Sequence, residues 1–143
     1  MTMAYIAHPD RQQTLEWIDG GLLTLLLDGQ ATEGQLTVGL FDVPKGEAPP
    51  IHLHTREDEV FVLLKGEALV WVGDECHRLS AGGAVYLPRR IPHGYRITSA
   101  RADLLLIATP AGIEEMFRHA GRDGHPGRVA VLPDGVVSGV AVV

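Results

Sequence analysis

The chain has 143 residues, of which 45% are hydrophobic, and this length and composition fit one globular domain with a full core. Its formal net charge is −6, and no basic cluster is longer than Arg89-Arg90, so nucleic-acid binding has little electrostatic support. Cys76 is the only cysteine, which excludes an intramolecular disulfide.

The N-terminal segment lacks the basic start and the apolar core of a secretory signal. The apolar stretch at residues 22–27 is far too short to cross a bilayer. We therefore expect a soluble, cytoplasmic protein that has no membrane partner.

Strand signals dominate the chain from residue 15 onward. Short runs of β-forming residues alternate with Gly, Pro and Asp clusters, and Gly66-Glu67 and Gly73-Asp74-Glu75 are predicted hairpin turns. Residues 44–50 are predicted to be a loop, because their prolines cannot donate to a ladder. Many short strands at this spacing predict a sandwich or a barrel. The predicted strands span residues 15–18, 22–27, 35–43, 51–54, 59–64, 68–72, 76–79, 84–87, 94–98 and 102–108.

One helix is predicted after the strands, over residues 111–119. Pro110 lies near its start, where a proline is tolerated. Ile113, Met116 and Phe117 share one face at helical spacing, so this face is expected to pack against the strands.

Four side chains form a candidate metal-binding set. His52 and His54 are separated by one residue, so both imidazoles point to the same side of a strand. Glu59 begins a strongly β-forming run, in which alternation places Phe61 on the same face, and His93 lies beside a turn. Imidazoles with one carboxylate can hold a divalent first-row metal and leave coordination positions open.

Two motifs built around these residues resemble the signature of the cupin superfamily. The first motif consists of Gly46, His52, His54, Glu59 and Gly66, and the second consists of Gly82, Pro88 and His93. Their spacing matches the family pattern over residues 46–97, and the flanking strands and the helix also fit small single-domain cupins. The motif selects Glu59 rather than the nearby Glu57 as the carboxylate ligand.

The resemblance implies an all-β fold, a double-stranded β-helix (jelly-roll or cupin barrel) with a short C-terminal helix. We expect residues 1–143 to form a single cupin domain, with the barrel over about 15–109 and the helix over about 111–119. The tail, residues 121–143, is rich in Gly, Pro and Val, and it is expected to add a strand over 136–143 or to pack against a partner.

The resemblance also implies that His52, His54, Glu59 and His93 converge on one divalent transition metal inside the barrel. Three buried imidazoles and a carboxylate would be costly without such an ion. The sequence leaves Ni, Fe, Mn, Zn, Cu and Co open as the metal.

One turn departs from the family pattern, because Arg90 stands where the family usually has glycine. Glycine accepts a positive φ, so Arg90 strains the turn, or the turn differs, or the arginine reaches the pocket mouth to meet an anionic substrate. We predict that Phe61, Tyr86, Tyr95 and Arg90 line a substrate pocket, although β propensity explains the two tyrosines equally well.

Within the superfamily, the chain resembles the quercetin-dioxygenase-like group. The residues that carry this resemblance are Ile51-His52-Leu53-His54, Asp58-Glu59-Val60-Phe61, Pro92-His93-Gly94-Tyr95-Arg96 and Thr109-Pro110-Ala111-Gly112. The group implies a metal-dependent dioxygenase, an oxidoreductase acting on a small aromatic or enolic substrate. The metal would act as a Lewis acid toward a substrate oxygen, and Glu59 would serve as ligand and general base.

Three alternatives remain open from the sequence. The protein could be a non-oxidative cupin cyclase or isomerase, or a non-catalytic cupin that binds a metal or a small ligand. The metal-free cupin epimerases use a His/Tyr pair, and the complete four-ligand set argues against them. We also expect a homodimer, because the apolar run at 22–27 and the Val-rich tail would benefit from cover.

Overall fold

The computed structural model of the protein describes residues 3–17, 20–121 and 141–142. These residues form eleven strands, one α-helix and a short 3-10 turn at Pro9–Arg11. The strands are β1 (Gln13–Glu16), β2 (Leu22–Leu27), β3 (Thr37–Pro44), β4 (His52–Leu53), β5 (Asp58–Lys65), β6 (Glu67–Val72), β7 (Glu75–Ser80), β8 (Ala84–Leu87), β9 (His93–Ile97), β10 (Arg101–Thr109) and β11 (Ala141–Val142), and the helix is α1 (Ile113–Gly121). No helix in the described ranges combines the length and the hydrophobicity needed to span a bilayer.

Two sheets form the body of the protein. The six-stranded sheet has the order β1-β2-β3-β10-β5-β8, and the five-stranded sheet has the order β11-β4-β9-β6-β7. Neighbouring strands pair in antiparallel fashion, except that β11 runs parallel to β4. Strands distant in the chain thus lie side by side, as they do in a jelly roll. This topology confirms the predicted all-β fold with a short C-terminal helix.

Alternating burial along β3 and β10 turns one face of the six-stranded sheet toward the core. On β10, the inward side chains Leu104 and Leu106 are almost completely buried. At one end of the core, the Phe117 ring from α1 packs edge-on against Trp17 and Phe41, with centroid distances of 5.2 and 5.7 Å. Burying an apolar side chain of this kind stabilises a fold by about 1.5–3 kcal/mol.

Helix α1 is attached to the six-stranded sheet through a buried carboxylate near its first turn. Glu114 accepts hydrogen bonds from the Thr37 hydroxyl at 2.9 Å and from the Gly29 amide at 2.6 Å. Gly112 has a φ of 138°, which lies outside the helical region, so the helix begins at Ile113 instead of at the predicted residue 111. Its end, Gly121, lies two residues beyond the predicted one.

The other element boundaries differ from the predicted ones by small amounts. Strands β2 and β8 have the predicted bounds, whereas β4 is limited to His52–Leu53 because it follows two prolines that cannot donate to a ladder. The predicted tail strand over 136–143 lies outside the described residues, apart from Ala141–Val142, which pairs with β4. The strand that carries His52 is therefore bordered by residues 141–142 of the C-terminal segment.

Candidate metal centre and adjoining cavity

The four predicted metal ligands lie together between the two sheets. His52 lies opposite His93 in the β4–β9 pair, and His54 follows β4 directly. Glu59 projects inward from β5 in the other sheet, where alternation separates it from the outward-facing Val60. One donor atom from each of the four ligands lies within 4.8 Å of the donors of the other three. Both sheets therefore contribute to one group that is able to hold a metal ion.

The group is sheltered from solvent and closely spaced. His54, Glu59 and His93 are each at most 3% exposed. The Glu59 Oε2 atom lies 2.9 Å from His93 Nε2 and 3.3 Å from His54 Nε2. The ring centroids of His52 and His93 are 4.5 Å apart. Several nitrogen and oxygen atoms that can donate lone pairs therefore surround one small volume.

Backbone carbonyls determine which ring nitrogen points into the centre. His52 Nδ1 lies 2.7 Å from the Pro50 carbonyl oxygen, and His93 Nδ1 lies 3.3 Å from the Ile91 carbonyl oxygen. A carbonyl only accepts hydrogen bonds, so Nδ1 carries the proton in both rings. The lone pair of each Nε2 is then free for a cation, in the arrangement that orients histidine ligands at metal sites.

The electrostatics of the centre favour the protonation states that a metal requires. Burial lowers the pKa of His52 to about 4, and the neighbouring His93 adds to this effect. Burial would raise the pKa of Glu59, but interactions with His54 and His93 outweigh it and hold the pKa at about 2. Near neutral pH, His52 is therefore a neutral imidazole and Glu59 is a carboxylate, which are the metal-binding forms.

A divalent cation fits this donor arrangement. His93 Nε2 and Glu59 Oε2 are buried and not aligned for a hydrogen bond with each other, although they lie 2.9 Å apart. A divalent cation that lies between these two atoms would interact favourably with both. Opposite ligands of a first-row ion stand about 4.2 Å apart for bonds of about 2.1 Å, so a span of at most 4.8 Å needs only a small contraction.

A cavity opens beside three of the four ligands. Aromatic and other apolar side chains from β3, β5, β9 and α1 form most of its wall, and two prolines that precede β4 close one side. The lining residues are Trp17, Phe41, Pro49, Pro50, His52, His54, Glu59, Phe61, Tyr95, Ile113, Met116 and Phe117. None of these residues is a lysine or an arginine.

A buried carboxylate holds one of the cavity residues in place. The Tyr95 hydroxyl donates to Glu47 Oε1 at 3.1 Å, and Glu47 is completely buried. Burial raises the pKa of Tyr95 well above its usual value, and the Glu47 carboxylate adds to the shift. The phenol therefore stays protonated and directs its hydrogen toward Glu47, while its ring packs 5.5 Å from Phe61.

The predicted pocket residues divide into two pairs. Phe61 and Tyr95 line the cavity. Tyr86 and Arg90 are absent from its wall: Tyr86 is 58% exposed on β8 and pairs with the outward-facing Val60. Arg90 is exposed and adopts a φ of 68°, so the turn keeps the positive φ that glycine favours and the arginine bears the strain.

Sequence reasoning missed several residues of the cavity wall. Trp17 and Phe41 belong to the core and also line the cavity, although no sequence motif singles them out. The shared helical face of Met116 and Phe117 was a signal for packing, but it did not show that a cavity lies against this face. Glu47 gave no signal, since it lies in a loop that the sequence marks only by prolines and glycine.

Comparison with known proteins agrees with this geometry. The sequence pattern of the family described as "Cupin domain" matches residues 39–110, which is half of the chain. The chain is 29% identical over 96 residues to a quercetin 2,3-dioxygenase of Bacillus subtilis (strain 168). That alignment covers 66% of this chain and 28% of the dioxygenase, so the chain spans little more than a quarter of that protein.

Two solved structures share the fold at low sequence identity. KdgF from Halomonas sp. superposes with a TM-score of 0.70 at 17% identity, covering 79% of this chain and 99% of KdgF. An RmlC-like cupin from Shewanella frigidimarina superposes with a TM-score of 0.68 at 19% identity, covering 80% of this chain and 97% of that one. With the family match over residues 39–110 and the jelly-roll topology, these findings show that the chain belongs to the cupin superfamily.

Proposed function

We propose that the protein binds one divalent first-row metal ion through His52, His54, Glu59 and His93. We further propose that it uses this ion in an oxygenase-type reaction on a small aromatic or enolic substrate. The observation that carries the proposal is the convergence of four donors within 4.8 Å, three of them on buried residues, at the edge of an aromatic cavity. The similarity to part of a quercetin 2,3-dioxygenase supports the same reaction class.

The composition of the cavity wall favours an uncharged substrate that contains a ring. Trp17, Phe41 and Phe117 meet one another edge-on, and such aromatic surfaces favour packing against another ring. Among the residues that the structure describes, the lining has no lysine or arginine that would neutralise an anion. This argues against the idea that Arg90 meets an anionic substrate, since Arg90 lies in an exposed turn outside the wall.

The residues of the centre have separate roles in this proposal. A bound divalent ion would supply Lewis-acid polarisation of a substrate oxygen. His52 and His93 offer Nε2 because their Nδ1 protons are held by backbone carbonyls. Glu59 suits the ligand role better than the predicted general-base role, because a carboxylate with a pKa of about 2 holds an abstracted proton weakly near neutral pH.

A second candidate function is a non-catalytic binder of the same class of ligand. Apart from the metal-binding candidates, Tyr95 is the one ionisable side chain in the described part of the cavity wall. Its hydroxyl already donates a hydrogen bond to Glu47. A wall without a further acid or base is compatible with binding alone. It gives less support to a non-oxidative cyclase or isomerase, which must move protons between substrate atoms.

Metal content tests the first part of the proposal. We expect the purified protein to carry about one metal ion per chain by elemental analysis, and we expect the double variant His52→Ala/His54→Ala to lose it. The matched control is His77→Ala, which removes an exposed histidine paired with Glu75 on β7. Metal binding that survives the double variant would refute the site.

Turnover assays separate the catalytic function from the binder. The metal-loaded protein is incubated with flavonols and with diketones, while oxygen consumption and substrate loss are followed together. Oxygen-coupled conversion supports the oxygenase, and conversion without oxygen uptake supports a cyclase or isomerase. A compound that raises the melting temperature but is never converted supports the binder.

A further inference from the structure

The turn at residues 88–92 joins β8 to β9 and contacts two of the candidate ligands through its backbone. The Arg90 amide donates a hydrogen bond to the His54 carbonyl oxygen at 2.7 Å. The Ile91 carbonyl oxygen lies 3.3 Å from Nδ1 of His93, the first residue of β9. The position of this turn, which we call the ligand turn, therefore affects where the His54 main chain and the His93 ring lie.

Packing gives the ligand turn little support. Arg89, Arg90 and Ile91 are exposed, and the prolines at its two ends are only partly buried. Its last residue, Pro92, accepts a hydrogen bond from the Gly73 amide at 2.8 Å, which leaves the first half of the turn to be held by other contacts. A segment that buries no side chain depends on hydrogen bonds to neighbouring segments for a fixed position.

Asp58 holds the first half of the ligand turn through three hydrogen bonds. Its Oδ1 atom accepts from the Arg89 amide at 2.8 Å and from Arg89 Nε at 3.1 Å, and its Oδ2 atom accepts from Arg89 Nη2 at 3.0 Å. A forked pair of this kind fixes the orientation of both groups as well as their distance. Asp58 directly precedes Glu59 in β5, so the turn is tied to a strand that itself carries a candidate ligand.

A second Asp–Arg pair on the same sheet has a different setting. Arg101 donates to Asp42 Oδ1 from Nε at 3.0 Å and from Nη2 at 2.7 Å. The strands that carry these two residues, β10 and β3, are already paired along most of their length, and neither residue lies next to a candidate ligand. Both ion pairs are partly exposed, and such pairs contribute little to stability, so the two differ mainly in what they position.

We propose that Asp58 is a positioning residue of the metal centre, which acts through Arg89 and the ligand turn on His54 and His93. This role rests on the proposed function, since a ligand can be positioned only if these residues bind a metal. Metal ligands must be held within about 0.5 Å of their productive positions. Without the Asp58 contacts, the first half of the ligand turn loses its attachment to β5, so the His54 carbonyl and the His93 ring shift relative to Glu59.

Binding of Co²⁺ tests this role, because the visible absorption of the ion reports the geometry of its ligands. The dissociation constant is measured by competition with a chelator for the wild type, for Asp58→Ala and for the matched control Asp42→Ala. We expect Asp58→Ala to raise the dissociation constant at least about 10-fold and to change the Co²⁺ spectrum, whereas Asp42→Ala leaves both unchanged. The urea midpoints of the two metal-free variants should be similar, because each variant loses one partly exposed ion pair.

Asp58→Asn replaces Asp58→Ala if that variant fails to fold, because its amide oxygen can still accept from the Arg89 amide. It loses the charged fork, so we expect a dissociation constant at least about threefold above that of the wild type. A dissociation constant unchanged by the Asp58 variant that folds would overturn the positioning role, and so would an equal rise in Asp42→Ala. A wild-type protein that binds no Co²⁺, or a His52→Ala/His54→Ala variant that binds it as tightly, would instead refute the metal site itself.

Discussion

Replacing His52 with glutamine should remove a defined part of the acid sensitivity of the metal-free protein. The His52 ring is largely buried beside His93 and His54, so its protonated form loses hydration and meets other imidazoles. These effects lower the pKa of His52 from 6.5 to about 4 in the folded state. Glutamine keeps a polar group of similar length but does not titrate.

The sign and the size of the effect follow from proton linkage. Between pH 6.5 and pH 4 the unfolded chain binds a proton at His52 that the folded protein does not bind, so stability falls as pH falls. Above this window the contribution is constant, and below pH 4 it changes no further. A depression of this size corresponds to about 3 kcal/mol in total, of which about 2 kcal/mol is lost between pH 7.5 and pH 5.

The assay is urea unfolding of chelator-treated protein at pH 7.5 and at pH 5, for the wild type and for His52→Gln. We expect the wild type to lose about 2 kcal/mol more than the variant between the two pH values. His77→Gln is the control, because it makes the same substitution at an exposed histidine outside the centre. An identical pH dependence in the wild type and His52→Gln would refute the burial argument.

Three further predictions address the turn, the aromatic cluster and the metal. Arg90→Gly should raise the free energy of unfolding by about 1 kcal/mol by relieving the residue at φ 68°, and an unchanged urea midpoint would contradict the strain. Phe117→Ala should lower the free energy of unfolding by about 3–5 kcal/mol, because it leaves a cavity where the ring packs against Trp17 and Phe41. Phe117→Leu should lower it clearly less. Equal urea midpoints for the two variants would contradict the packing. A chelator should lower the melting temperature. Added metal at about 100 times its dissociation constant should then raise the free energy of unfolding by about 2.7 kcal/mol. A melting temperature that changes with neither treatment would contradict a metal site in the folded state.

The strand pattern was accessible from the sequence because it depends on local rules, whereas the jelly roll and the convergence of the four side chains were implied by the resemblance to the cupin motifs. Alternation along a strand puts His52 and His54 on one side, and β-forming runs between glycines and prolines give strand bounds such as those of β2 and β8. The return of His93 to the same place was implied by the resemblance of the two motifs to the cupin pattern, because only the tertiary fold brings β4, β5 and β9 together.

The cavity wall was less accessible because it depends on long-range register. Tyr86 and Phe61 are both aromatic residues in predicted strands, but only the pairing of β8 with β5 shows that Tyr86 lies beside Val60 on the outer surface. Trp17 and Phe117 meet although they are distant in the chain. No periodicity shows which part of a buried face borders a cavity. The burial of Glu47 against Tyr95 likewise depends on tertiary contacts of an irregular loop.

A crystal structure of the metal-loaded protein, with anomalous data collected at the absorption edges of the candidate metals, tests the central claim most directly. We predict one anomalous peak between the two sheets, with three imidazoles and the Glu59 carboxylate at bond lengths of about 2.0–2.2 Å. Crystals of protein that has taken up metal but show no peak among these four side chains, or a peak held by other residues, would contradict the account.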